Sequence, residues 1–201
     1  MSPRTEEQNK LIRDERREQI LKAALEVFAR RGYSAARISD IAAAARLSHG
    51  LVYHYFGSKD DVFTALVGTA LAVSAQAVKA AAEGPGTPLQ RLRNLTETLL
   101  AGLFAQKESV YYFLVMLQAT TFDPVPRAVR DLIRQDGYAI IRHTIPLIKE
   151  GQAAGEIAGD DPGTLATAYW SLLQGLVITY AESGDPFPFP SADIVLRVLK
   201  A

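Results

Sequence analysis

The sequence has no cysteine, one tryptophan, two methionines and three histidines in 201 residues. Without cysteine there is no disulfide, no thiolate metal site and no thiol nucleophile, a usage that fits the cytoplasm. No apolar run approaches the roughly 18–20 residues of a membrane span, so no membrane partner is expected. The amino end carries Arg4, Glu6, Glu7, Lys10, Arg13, Asp14 and Glu15 where a signal peptide would need an apolar core. Period-two alternation is missing throughout, which removes β-strands and leaves an all-α fold of nine or ten helices without internal repeats. Net charge is also absent, with 22 Lys and Arg against 22 Asp and Glu. Its distribution is uneven. Residues 1–60 hold 11 basic against 8 acidic side chains, and residues 61–201 hold 11 against 14. That asymmetry is a mild pointer to a polyanion bound near the amino end.

What is present is an ordinary globular composition, 48% apolar and 22% charged, at a length able to bury a sizeable core. Residues 1–15 read as a loose arm or a frayed extension of the first helix. Lys10, Arg13, Arg16 and Arg17 there either touch phosphates or form a solvated lead-in. An amphipathic helix spans Arg16 to Arg31, with Ile20, Leu21, Ala24, Leu25, Val27 and Phe28 inward and Gly32 closing it. A long helix runs from Lys59 to about Ala82. Loop chemistry at Glu83–Pro88 ends it, and Pro88 opens a helix to Phe104. Lys107-Glu108-Ser109 separates that from an apolar helix, Val110 to Thr121. Asp123-Pro124-Val125-Pro126 is a further break. Residues 127–153 read as one long helix weakened at Pro146. The next helix begins near Pro162, Gly184–Pro190 is a connection, and the last helix spans about Ala192 to Leu199.

The informative stretch is Ile38–Lys59. Ile38, Ile41, Ala42 and Ala45 share one helical face. Arg46-Leu47 interrupts the pattern, and Ser48 is placed to cap a second helix. Val52 and Phe56 face inward with Leu47, while Ser48, His49, Gly50, Tyr53 and His54 form a polar outer face. Gly57 stops this helix and Ser58 caps the next. Two short helices so joined form a helix-turn-helix whose second member reads the major groove. Backbone N–H groups at Ser48 favour a phosphate. His49 and His54 suit base readout, with Ser39 and Arg37 reaching from the first motif helix. Gly50 permits close approach. His49 and His54 stand about 140° apart round a helix and cannot chelate one metal ion.

The block from Arg17 to Leu66 resembles the amino-terminal domain of TetR-family transcriptional repressors. The resemblance rests on Phe28-Ala29, Gly32-Tyr33, Asp40-Ile41-Ala42, Ala44-Ala45, Leu47-Ser48, Leu51, Tyr53-His54-Tyr55-Phe56 and Ser58-Lys59. It covers about a quarter of the chain. It implies a DNA-binding domain over residues 1–60 and an effector-binding and dimerisation domain over 61–201. It further implies a homodimer on a partly palindromic double-stranded DNA operator, released by a small molecule. By matched position, Tyr53, Tyr55 and Lys59 would anchor phosphates, with a core role for Tyr55 as the competing reading. Two positions depart from the family pattern. Arg37 replaces a hydroxyl cap, and Arg46 replaces a turn glycine at a cost on the order of 1 kcal/mol if the backbone there stays left-handed.

In the carboxy-terminal part, Tyr111, Tyr112, Phe113, Phe122, Tyr138, Tyr169, Trp170 and Tyr180 each read first as core aromatics. An effector cavity is expected among Phe113, Met116, Leu117, Tyr138, Ile141, Trp170 and Gln174, suited to a small hydrophobic ligand. Arg142 and His143 either meet an anionic end of that ligand or face solvent. The dimer interface is expected from the last two long helices through Leu165, Leu172, Leu176, Ile194, Leu196 and Val198. Two other classes compete. An enzyme would need a nucleophile, base and orienter in one cleft, yet two of the three histidines lie in the recognition helix. A helical carrier of an apolar ligand with a vestigial DNA-binding head is the other. No cofactor is implied.

Overall fold

In the computed structural model, residues 6–105, 107–121, 124–183 and 187–200 are described, with backbone only at 6, 9, 104, 105 and 107. Phe122, Asp123, residues 184–186 and the Phe104 side chain therefore lie outside the described residues. The described residues form helices α1 (Glu6–Ala35), α2 (Ile38–Ala45), α3 (His49–Tyr55), α4 (Lys59–Ala82), α5 (Pro88–Ala105), α6 (Lys107–Thr121), α7 (Arg127–Asp136), α8 (Ala139–Ala153), α9 (Pro162–Ser183) and α10 (Ala192–Val195). A 3-10 turn spans Leu196–Leu199 after them, and no strand occurs among the described residues.

α1 starts ten residues before the amphipathic stripe does. Glu, Gln, Lys, Arg and Leu dominate that lead-in, with no glycine or proline, so local propensity carries the helix beyond its core contacts. Its regular course breaks at Gly32, φ 75° and ψ 161°, a region open essentially to glycine alone. α6 begins at Lys107 rather than Val110, so the expected separator is its first turn.

The sequence pattern predicts one helix over residues 127–153, and the structure makes two. The break falls at Gly137 and Tyr138, not at Pro146, which lies within α8. A Cβ at Gly137 would sit 2.5 Å from the Ile133 carbonyl oxygen. Only glycine allows the chain to pass so close while it turns. The final helical segment spans Ala192–Leu199 as expected, but as a single α turn followed by a 3-10 turn.

Two apolar cores result. The first joins Ile20, Ala24 and Phe28 of α1 to Ile41, Val52 and Phe56, then to Val62, Phe63, Leu66 and Val67 of α4. Val115 and Ala119 of α6 and Val129 of α7 complete it. The second joins Leu92 and Leu100 of α5, Leu147 and Ile148 of α8, Leu165, Tyr169 and Leu173 of α9, and Val195, Leu196 and Leu199. Leu165 and Leu196 are thus used within the subunit and do not form an intersubunit bundle. α4 is long and apolar enough to cross a membrane, with a mean hydropathy of 1.5 over its most apolar window. Valines and leucines supply most of that value, and Val62, Phe63, Leu66 and Val67 near its start are buried in the first core.

Polar side chains fasten α6 to α1. Gln118 Nε2 donates to the Phe28 carbonyl at 3.0 Å, and Arg30 donates to the Tyr111 hydroxyl at 3.0 Å. Lys22 pairs with Glu108. In the second core the buried Tyr169 hydroxyl lies 2.9 Å from Thr96 Oγ1. Burial pushes this phenol up to about 12, and the Thr96 hydrogen bond offsets part of that rise. A phenol raised in the folded state contributes stability below its unfolded pKa and loses it as pH climbs through the folded value. Urea unfolding across the alkaline range should show stability falling between about pH 10 and 12, by about 2 kcal/mol from this group. Tyr169→Phe should remove that part of the decline.

Candidate nucleic-acid interface

The interface is built from α2, α3 and the ends of their neighbours. Arg37 has extended backbone at the start of α2, and its N–H donates to the Asp40 carboxylate at 3.0 Å. That carboxylate also pairs with Arg31 at 2.9 Å. Asp40 thus makes the reciprocal half of a capping box, which also sets an acid at the positive end of α2, while no side chain caps the helix from Arg37. Arg37 and Ser39 are both exposed.

Arg46 closes α2 in the left-handed conformation, φ 56° and ψ 42°. The Leu47 N–H then reaches the Ala42 carbonyl at 2.9 Å, the Schellman closure. Gln19 of α1 donates to the Ala45 carbonyl at 2.8 Å. Ser48 Oγ accepts from the Leu51 N–H at 3.2 Å, so the expected cap of α3 is present. Ser58 caps α4 in the same way, accepting from Asp61 N–H at 3.1 Å.

α3 divides as its sequence suggests. Val52 and Phe56 are buried, and Leu47 packs against them in the first core. Ser48, His49, Gly50, Tyr53 and His54 are all exposed. The His49 and Tyr53 rings meet edge to face at 4.9 Å, which holds both upright on the outer surface. Tyr55 is half-buried against the first core, with the His54 ring edge-on at 5.4 Å. A Cβ at Gly50 would meet nothing within 4 Å, so no packing inside the subunit demands glycine there.

Lys59 differs from its expected role. Its ammonium donates to the carbonyls of Tyr33 at 2.8 Å, Ala36 at 3.1 Å and Ser34 at 3.4 Å, and lies 4.4 Å from the Tyr33 ring centroid. All three donors thus close the end of α1 instead of facing a phosphate. The Tyr33 hydroxyl donates to Asp60, and burial first, then that hydrogen bond, raises its pKa. Gln19 is an interface-shaping residue that the sequence reading did not single out, and Asp40 entered it only as part of the family motif, without its capping role. Their capping partners are set by helix packing and by a side-chain swap that no periodicity reveals.

The expected effector residues do not form one enclosed wall. Tyr138 is 65% exposed and Gln174 is also exposed, so neither lines a cavity in the subunit. Phe113, Met116, Leu117, Ile141 and Trp170 are half-buried. Met116 packs on the first core, whereas Ile141 and Trp170 pack on the second. Trp170 Nε1 donates to Thr144 Oγ1 at 2.9 Å, and Thr144 donates onward to the Ile140 carbonyl at 2.8 Å. Arg142 is exposed and bonds the Gln135 carbonyl at 3.1 Å, and His143 is exposed. A cleft of about 260 Å³ lies instead between α1 and α6, lined by Lys22, Leu25, Glu26, Arg30, Glu108 and Tyr111.

A capped two-helix motif with a polar outer face, seated on an all-helical body, defines a helix-turn-helix DNA-binding regulator. Comparison with known proteins agrees. The family model described as bacterial regulatory proteins, tetR family, matches residues 20–66. The transcriptional regulator AcuR of Cereibacter sphaeroides is 31% identical over 174 residues, 86% of this chain and 79% of that one. PfmR, a TetR-family regulator of Thermus thermophilus, has the same fold with a TM-score of 0.71 at 23% identity, over 90% of this chain and 96% of that one. AibR in complex with isovaleryl coenzyme A and operator DNA aligns with a TM-score of 0.69 at 19% identity, over 90% of this chain and 94% of that one. The chain belongs to the TetR family of transcriptional regulators.

Two substitutions separate the roles of Arg46 and Lys59. Arg46→Gly should stabilise the fold by roughly 0.5–1 kcal/mol, because glycine carries no left-handed penalty. Lys59→Met should cost about 1–3 kcal/mol through the orphaned carbonyls of α1. Both values are read from the midpoint of urea unfolding at fixed pH.

Proposed function

We propose that this chain acts as a homodimeric, ligand-released repressor of a palindromic operator. The observation that carries the reading is the exposed face of α3, with His49, Tyr53 and His54 held outward by a buried Val52 and Phe56. In this reading His49 and His54 contact base edges. Tyr53, Tyr55, Arg37, Ser39 and the Ser48 end of α3 position the phosphates. Gly50 supports it too. Glycine inside a helix costs roughly 0.5–1 kcal/mol relative to alanine, and nothing within the subunit compensates. A surface that must approach another molecule closely does.

The dimer forms through α9 and α10, where Leu172 is 39% and Ile194 is 49% exposed. The effector is small and hydrophobic and enters between the two cores, beside Phe113, Leu117 and Ile141. AibR, which has this fold, was solved with both an acyl coenzyme A and operator DNA. The polar links from α6 to α1 give a bound effector a route to the head.

Selection of bound duplexes from random DNA tests the reading. Two inverted half-sites should emerge, centred about 10 base pairs or a multiple apart. Binding should be nanomolar at physiological salt and fall steeply as salt rises. His49→Ala should weaken binding roughly tenfold and relax preference at one position in each half-site. Equal binding to every sequence would defeat the proposal.

A further inference from the structure

We propose that the projecting first half of α1 is a second DNA-contacting element, laying a basic stripe on phosphates that flank the bases read by α3. This rests on the DNA-binding reading above. The stripe is set by helical spacing. Lys10, Arg13 and Arg17 recur at three and four residues, which places them within roughly 60° of one another round the helix. Arg16 stands at its margin. Further along the same line lie Ile20, Ala24 and Phe28, each with no exposed surface. The stripe therefore points to the side of α1 that packs into the first core. Glu7, Asp14 and Glu18 share a different side, roughly 90° away. The segment is thus partly divided by charge: by spacing Glu6 falls on the stripe and Asp14 stands about 40° from Lys10, while the three acids named are centred to one side of the three bases. Among the described ion pairs none takes up Lys10, Arg13 or Arg17.

Its position continues the interface. The Arg17 guanidinium lies 4.9 Å from the centroid of Phe56, just past the end of α3. Arg16 bonds Gln19 at 2.6 Å, and Gln19 bonds the Ala45 carbonyl at the end of α2. α1 accordingly passes both motif helices at residues 16–19 and then leaves the body. The eleven residues from Glu6 to Arg16 extend about 16 Å beyond that corner, several base-pair steps of a duplex. They have no core of their own, and Leu11 on this segment is 60% exposed. A cationic line that starts beside a base-reading helix and points its way matches a polyanion that runs past the same helix. The duplex backbone is that polyanion.

The test uses the full chain and two duplexes carrying its selected site, one with ten flanking base pairs on each side and one trimmed to the site. Lys10→Gln with Arg13→Gln should weaken binding to the flanked duplex roughly 10- to 100-fold at low salt. The slope of log affinity against log salt should fall by up to about four for a dimer losing four cations. The selected sequence should not change, and wild type and variant should converge on the trimmed duplex. Lys10→Arg with Arg13→Lys should restore binding. Thermal melting of both variants checks that the fold persists. Equal affinity and slope for wild type and the charge-removed variant on the flanked duplex would overturn the stripe while leaving α3 as the reader. An equal loss on both duplexes would overturn it too. A wild-type chain that selects no sequence would remove the DNA reading itself, and this inference with it.

Discussion

Phe63 is the contact on which the rest is assembled. Its ring stands edge-on to Phe28 at 5.0 Å and tilted against Tyr33 at 4.8 Å. It comes from the second turn of α4, the helix that continues into the body. One fully buried aromatic thereby ties the end of α1, the start of α4 and the floor beneath α3 into a single packed unit. The large apolar area such a ring removes from water makes it hard to displace without loosening all three. Lys59, one turn earlier on α4, reinforces the joint by closing the carbonyls at the end of α1. The pose of the motif is consequently set by α4 as much as by its own short helices.

The motif was legible in the sequence because every signal there is local. Ser48 and Ser58 bond the backbone three residues on, as caps do. Val52 and Phe56 recur at one turn, and both are buried. The left-handed Arg46 was readable as a departure from a glycine. Tertiary capping was not legible. Nothing in the spacing of Gln19 or Lys59 says that their side chains end on carbonyls 26 residues away in sequence.

The body was read less well, for two physical reasons. Continuous apolar periodicity over residues 127–153 hides a close approach of backbone at Gly137, which is a three-dimensional constraint. Aromatic content also does not tell a cavity wall from a packed core or an exposed ring. Tyr169 is fully buried and hydrogen-bonded to Thr96, Trp170 is partly buried on Thr144, and Tyr138 stands in solvent. The same chemistry on neighbouring helices thus serves three different environments. Leu165 and Leu196 followed a similar course, since a leucine stripe looks alike whether it meets its own subunit or another.

The first core draws Val115, Ala119 and Val129 from helices that lie far along the chain from α3. Gln118 adds an amide donated to Phe28, while its Oε1 is buried without a hydrogen-bond partner. The head is therefore a unit in space but not a contiguous segment. Anyone grafting this DNA-reading surface onto a different ligand-sensing body would have to carry over the first two turns of α4 and recreate the facing side of α6. A cut placed at the end of the family match would leave the transplanted motif without part of its floor.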